Sequence, residues 1–305
     1  MMHNIFLKTF YRWKKVGEII DINFFPVKSC APVKRNSFDC HELGIVEGNF
    51  YDRCFIISSD TNKQVTGRTY PKLVLIQPKI LSDQLTLSAP GKPDLILDLD
   101  AIRYGKGKKI DCWYSTVNAI DAGDIAAQWI SEYAVGKKES LRLYFYPYRY
   151  PTKGRSKPDR KNYNAYTDND AGAYHDSTSY MLINQNSIDA LNSHLDHVVK
   201  PLQFRPNFVV KGPPAFAEDN WKWIRIGDEV VFRGIKPCTR CIFTNINPES
   251  GERNPNREPL ETLLKNRSII TDAPPVMGLH MGIRISGRVS IDDSLYSPVL
   301  EKLWG

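Results

Sequence analysis

In the stretch KPCTRCIFTNINP, residues 236–248, Cys238 and Cys241 stand two residues apart between Lys236 and Arg240. A structural zinc site takes four ligands, commonly two such cysteine pairs or one pair with two histidines. The chain has no second Cys-x-x-Cys, and its other cysteines, at 30, 40, 54 and 112, are scattered. A redox dithiol is expected to open a helix whose N-terminus lowers the thiol pKa, whereas VVFRGI before the pair and CIFTNI after it are rich in β-favouring residues. Two readings stay open on the residues alone: a single soft thiolate for some other metal, favoured in its deprotonated form by Lys236 and Arg240, and two inert core cysteines. His194 and His197, three apart in HLDH, fall off the apolar face of their expected helix and read as solvated. YGKGKK lacks the third glycine and following helix of a dinucleotide site, and no phosphate-binding P-loop is present.

Four other stretches set small polar and cationic side chains where a strand should end, which is where folds present ligand-binding groups. They are FFPVKSC with Lys28 and Ser29, YDRCF with Arg53, YHDSTS with Asp176, Ser177 and Thr178, and FRPNFVVKG with Arg205 and Asn207. Arginine offers an anion a planar fork and lysine a point charge. The aromatic, basic run from Tyr144 to Arg149 could stack single-stranded bases, but packing within a strand accounts for the same residues.

The elements that must position these groups are mostly strands. GEIIDINFFPV alternates Ile20, Ile22 and Phe24 with Asp21 and Asn23, the period of a half-buried strand ending at Pro26. RCFIIS, KLVLIQP, DLILDLD, LRLYFYPYRYP, NFVVKG, EVVFRGI and GIRISGR read as further strands. DAGDIAAQWISEYAVG spaces Ile125, Trp129, Ile130 and Tyr133 as a helix, with Asp121 or Asp124 as cap and Gly136 past its end. A second helix is predicted over SIDALNSHLDHVV, with Ser187 as N-cap and Ile188, Leu191, Leu195 and Val198 on one face, and a short one over EPLETLLKN, where Pro259 is tolerated early. Residues 152–176 form a long polar loop without periodicity, the kind that is functional or disordered.

With 305 residues, 42% apolar and 25% charged, the chain has the balance of a soluble globular protein with ample core. Six irregularly spread cysteines point to a reducing compartment rather than a secreted disulfide framework. A net charge of +7 favours an anionic partner, whether phosphate-bearing cofactor, acidic protein or nucleic acid. The start is too short in apolar residues for a membrane span, although Phe6, Leu7, Phe10 and Trp13 among Lys8, Arg12, Lys14 and Lys15 would suit peripheral contact with a membrane surface.

Taken in order, these stretches resemble the MOSC superfamily, and most closely its amidoxime-reducing components. The likeness is carried by FFPVKSC, GNFYDR at 48–53, AAQWI at 126–130, FRPN at 204–207, AEDNW at 217–221, the cysteine pair and EPLETL at 258–263. It implies an α+β, β-rich fold: a MOSC-type β-barrel with peripheral helices over 137–305 and an N-terminal β-rich domain over 16–136, after a tail at 1–15. It implies a molybdenum cofactor held by a pyranopterin dithiolene and one protein thiolate, Cys241, with Cys238 as a neighbour. Lys28, Ser29, Arg53, Arg205 and Asn207 match cofactor-contact positions, and Thr239 lies beside the ligand. Asp176, Ser177 and Thr178 match a loop near the metal, Asp176 with a catalytic part, although Ser-Thr-Ser-Tyr stands here where relatives often have Thr-Ser-Pro-Phe.

The implied activity is reduction of N-hydroxylated small molecules, with electrons from NADH through NADH-cytochrome b5 reductase and cytochrome b5, by a monomer with no nucleic-acid role. The implied location is mitochondrial, or cytosolic if the short start carries no anchor, since about fifteen residues precede the KVGEI-like beginning of the likeness. Lys153 to Lys161, with five Lys or Arg, is the expected docking or cleft-rim element for acidic cytochrome b5. The alternative is a non-catalytic binder or carrier of the cofactor.

Overall fold

The computed structural model describes residues 12–112, 115–136, 140–152 and 163–299. The expected docking element at 153–161 and most of the N-terminal tail lie outside the described residues.

Seven strands close a barrel in the order Trp13–Ile22, Phe208–Lys211, Tyr180–Asn184, Val276–Ile285, Val230–Thr239, Trp223–Ile226 and Ser294–Pro298, the last pairing back to the first. The expected strands at the start and in NFVVKG, EVVFRGI and GIRISGR all contribute to it, and Trp13, Lys14 and Lys15 pair with Pro298, Ser297 and Tyr296. Tyr180–Asn184 and Phe208–Lys211 run parallel. A parallel pair needs a crossover, and the Gln185–Asn192 helix lies within it. The rings of Tyr180, Phe208 and Phe232 meet at centroid distances of 4.9 to 5.8 Å. Rings of this size dominate the burial that stabilises such a core.

The remaining strands form a five-stranded sheet, Gly107–Cys112, Ser115–Asp121, Leu141–Phe145, Phe55–Ser59 and Gln64–Val65, with a three-stranded and a four-stranded sheet beside it. The Asp124–Val135 helix packs on the Leu141–Phe145 strand, where Ser131 Oγ accepts from Leu141 N at 2.9 Å. Its N-cap is Gly123, whose N–H donates to Asp121, and it ends at Gly136 with φ of 75°. Trp129 and Ile130 are buried as expected, while Ile125 points to solvent. Tyr144 and Tyr146 are fully buried, in keeping with strand packing for the aromatic run.

Two expected elements differ. Residues 71–75 of the KLVLIQP region form a 3-10 turn, Pro71–Leu75, and the strand begins at Gln77. Pro71, with no N–H and a fixed φ, starts a helical turn readily. The second helix is Gln185–Asn192, capped by Asn184 rather than Ser187; Ser187 is buried inside it and donates to Glu218. It stops at Asn192, whose amide both donates to and accepts from Val199. Such side-chain bonds to backbone compete with helix continuation, so Val198 is exposed despite its spacing.

The loop that carries residues 174–178 is fixed from beneath. Gly282 on the Val276–Ile285 strand lets the buried Asp170 lie flat against it, since a Cβ there would overlap the carboxylate. Asp170 then holds Arg284 Nη1 at 2.6 Å and Nη2 at 3.0 Å.

Candidate functional site

Strand ends from both parts of the fold converge on a cleft of about 410 Å³. All ten candidate residues line it: Lys28, Ser29 and Arg53 from the N-terminal part; Asp176, Ser177 and Thr178 from the loop before the Tyr180–Asn184 strand; Arg205 and Asn207; and Thr239 and Cys241. Three of them hold the left-handed backbone region without being glycine, Ser29 at φ 72°, Arg53 at 51° and Arg205 at 55°. That conformation costs on the order of 1 kcal/mol for an L-residue. It aims three polar side chains that an extended strand end would have turned elsewhere.

The two cysteines of the pair have opposite surroundings. Cys238, on the Val230–Thr239 strand, packs with Met181, Leu263 and Met277, and burial pushes its thiol pKa up. Cys241 lies past the strand end and is the exposed one of the six; the others are buried, Cys30 being pushed up to about 12 by burial. Arg68 Nη1 lies 3.9 Å from Cys241 Sγ. Arg240 acts on Cys241 through its charge and not as a hydrogen-bond donor: its guanidinium turns inward, with Nε donating to Met277 O at 2.8 Å and Nη1 to Phe204 O at 2.9 Å. Phe204 ends a 3-10 turn and Met277 lies near the start of the Val276–Ile285 strand, and both buried carbonyls take a donor from the buried arginine. Among the described residues no three His, Cys, Asp or Glu side chains gather into a metal cage. A metal on Cys241 would not find a full set of such ligands among the described residues.

Opposite Cys241 the wall is cationic. Arg53 and Arg205 both stack on the Phe25 ring, at 4.7 and 4.2 Å from its centroid, and Arg205 also lies 5.4 Å from that of Phe243. Arg53 is paired with Asp52. Arg205 has no carboxylate of its own, and its Nη2 is buried with no hydrogen-bond partner among the described residues. Burial and the charge of Arg53 push its pKa down to about 9. Two adjacent guanidiniums, one with a vacant donor, fit a doubly charged oxyanion such as a phosphate. Lys28 donates to Tyr174 O at 2.6 Å and pairs with Asp176, whose other oxygen is 3.8 Å from Arg68 Nη2.

Behind this wall lies a buried hub. Asp52 accepts from Phe25 N at 2.6 Å and Asn207 Nδ2 at 3.1 Å, and His175 Nε2 is 3.0 Å away. Burial would raise the Asp52 pKa, yet Arg53 and His175 hold it below the usual carboxylate range. Burial drives His175 the other way, down to about 4. Asn207 uses its whole amide on the protein: Nδ2 also donates to Asn23 O, and Oδ1 accepts from Met181 N and Arg53 Nη1. It lines the cleft and positions Arg53. Thr178 Oγ1 donates to Tyr180 O and lies 2.9 Å from His280 Nδ1.

Sequence reasoning missed Arg68, Asp52, His175 and His280. Asp52 and His175 lie inside stretches already singled out, GNFYDR and YHDSTS. Arg68 and His280 carry no local signal and are known only from where the fold brings them.

The chain matches the MOSC N-terminal beta barrel domain over residues 16–137 and the MOSC domain over residues 169–296. It is 31% identical over 290 residues to mitochondrial amidoxime-reducing component 1 of Homo sapiens, spanning 93% of this chain and 83% of that protein. Against the Mus musculus protein of the same name the identity is 30% over 292 residues, with 93% and 83% covered. Mitochondrial amidoxime reducing component 2 of Bos taurus is 30% identical over 294 residues, with 94% and 85% covered.

Proposed function

This chain belongs to the MOSC family, a molybdenum-cofactor-binding family, and on that premise we propose that it is an enzyme reducing N-hydroxylated compounds such as amidoximes and hydroxylamines. The observation that carries the reading is a single cleft lined by the exposed Cys241 and by the Arg53–Arg205 pair, of which Arg205 Nη2 has no hydrogen-bond partner among the described residues.

In this reading Cys241 is the metal's protein ligand, a soft thiolate suited to molybdenum. Arg53, Arg205 and Lys28 would bind the phosphate of the pterin cofactor, and Ser29, Ser177 and Thr239 would supply hydrogen bonds to its polar edges; Thr178, expected among them, lines the cleft with its hydroxyl committed to Tyr180 O and His280. Asn207 and Asp52 hold Arg53 in place. The cofactor, when bound, supplies two-electron chemistry that removes oxygen from nitrogen. Overall, the N–OH compound takes two electrons and two protons, the N–O bond breaks, and an N–H product and water leave. Asp176 lies on the reacting side, an exposed carboxylate that holds Arg68 beside Cys241 and offers a site for a proton in transit.

The electrons come, in this proposal, from NADH through NADH-cytochrome b5 reductase and cytochrome b5. A chain of net charge +7 suits an acidic donor. The names of the relatives support mitochondrial association. We also propose the division into an N-terminal domain over 16–136 and a MOSC domain over 137–305. No helix among the described residues is long and apolar enough to cross a membrane.

The test is elemental analysis of protein from a cofactor-replete host, followed by NADH-dependent benzamidoxime reduction with cytochrome b5 and its reductase. Near-stoichiometric molybdenum with turnover supports the enzyme. Molybdenum without turnover, under reduction by the cytochrome chain or by dithionite, supports the alternative of a cofactor carrier, and zinc or no metal rejects both.

A further inference from the structure

His280 stands on the Val276–Ile285 strand, directly opposite Lys236 on one neighbouring strand and Met181 on the other. Opposed residues of antiparallel strands project from the same face, and all three line the cleft that contains Cys241. The cleft wall there reads, across three strands, as thioether, imidazole and ammonium.

The hydrogen bonds fix which imidazole nitrogen carries the proton. Thr178 has one hydroxyl hydrogen and donates it to Tyr180 O at 2.8 Å. The 2.9 Å contact between Thr178 Oγ1 and His280 Nδ1 must then be donated by the ring. A neutral imidazole protonated at Nδ1 keeps its lone pair on Nε2, and Nε2 has no hydrogen-bond partner among the described residues. Burial, with the charges of Lys236 and Arg240 beside it, holds the ring's pKa well below the usual histidine range, so the lone pair persists at neutral pH.

We infer that His280 is a substrate-binding residue whose Nε2 accepts a hydrogen bond from the hydroxyl of an N–OH compound, selecting amidoximes and hydroxylamines over N-oxides and O-alkylated analogues, which lack that hydroxyl hydrogen. The inference rests on the reductase reading above. A polar cleft group matched to a substrate hydroxyl discriminates strongly against the analogue that lacks it, because the group is left unpaired. Thr178 acts through the ring, holding the tautomer that leaves Nε2 bare.

The experiment is calorimetric titration of the oxidised, molybdenum-loaded protein with benzamidoxime and with O-methylbenzamidoxime, for the parent, His280→Phe and His280→Gln. The parent should bind benzamidoxime about tenfold more tightly than its O-methyl ether. His280→Phe, at unchanged molybdenum content, should lose that preference by weakening benzamidoxime alone. His280→Gln, which keeps an acceptor, should retain part of the preference, and it carries the test if the phenylalanine variant loses metal. No preference in the parent, a preference that survives in His280→Phe, or an equal loss for both compounds overturns the inference. A parent that discriminates in binding but does not turn over keeps His280 in this role and rejects the reductase.

Discussion

Cys241 differs from the other five cysteines in being exposed, and that difference separates two outcomes. Cys241→Ser should leave the fold intact and lose molybdenum, read by elemental analysis beside a melting curve. Cys238→Ser should keep the metal and lose stability by about 1–3 kcal/mol, because it places a hydroxyl among Met181, Leu263 and Met277. Retention of metal in the first variant would remove Cys241 from the ligand position. His175 sets a pH dependence of its own. Its unfolded form takes up a proton near the ordinary histidine pKa, while the folded form resists until about 4. Stability is then full above roughly pH 6.5 and falls as the pH drops toward 4, by at most about 3 kcal/mol from this group. Urea midpoints between pH 7 and 4.5 should fall less steeply for His175→Asn, with some slope left because His280 shifts the same way. A slope identical to the parent's would refute the assignment. At this scale the cysteine pair was legible because thiolate chemistry and a Cys-x-x-Cys spacing are local, while the choice of Cys241 over Cys238 came from the resemblance. Arg68 was not, since nothing in GRTY marks an arginine that ends 3.9 Å from a sulfur 173 positions away.

Among the elements, Val230–Thr239 does the most to shape the cleft. Its register with Val276–Ile285 shifts between Gly234 and Lys236 and again between Pro237 and Thr239. Each irregularity bends a strand and re-aims the side chains beyond it, which brings Lys236 and Thr239 to the cleft while Cys238 between them borders it but is buried with Met181, Leu263 and Met277. Gly234 permits the first of them, because a Cβ there would overlap the Trp221 carbonyl. Gly234→Ala should therefore cost about 1–3 kcal/mol as an overpacked site; a thermal melt within 1 °C of the parent would show that the strand has room. The period-two pattern announced this strand and its partners in the barrel, as the aromatic spacing announced the Asp124–Val135 helix. Periodicity said nothing of the left-handed backbone at Ser29, Arg53 and Arg205, where glycine, the usual signal, is absent. Nor did it show where the second helix stops, since Leu195 and Val198 continue the spacing that Asn192 interrupts.

The molecule as a whole is held at its site by Asp52, which ties four distant stretches of chain together. Phe25 N, His175 and Asn207 come from segments far apart in sequence, and Arg53 joins them from the adjacent residue. The β-rich two-part architecture came from the resemblance, because a strand count fixes neither closure nor order. The hub could not be read at all, because it exists only once both parts have folded. Asp52→Asn would keep the size of the side chain and remove its charge, leaving Arg53 beside Arg205 with no buried counter-charge. Breaking a buried pair from one side costs about 3–5 kcal/mol. Asp176→Asn also takes a carboxylate from a buried cation, since the Lys28 side chain is 7% exposed, but Asp176 itself is 56% exposed and Lys28 keeps the Tyr174 carbonyl, so the cost should be smaller, about 1–3 kcal/mol. The two variants should separate in chemical denaturation of the metal-free protein, with Asp52→Asn the more destabilised. Phosphate at tens of millimolar should recover part of the loss in Asp52→Asn, because an oxyanion supplies the charge the two arginines lack. Equal, small effects from both substitutions would mean that the arginines are held by their stacking on Phe25 rather than by the carboxylate behind them.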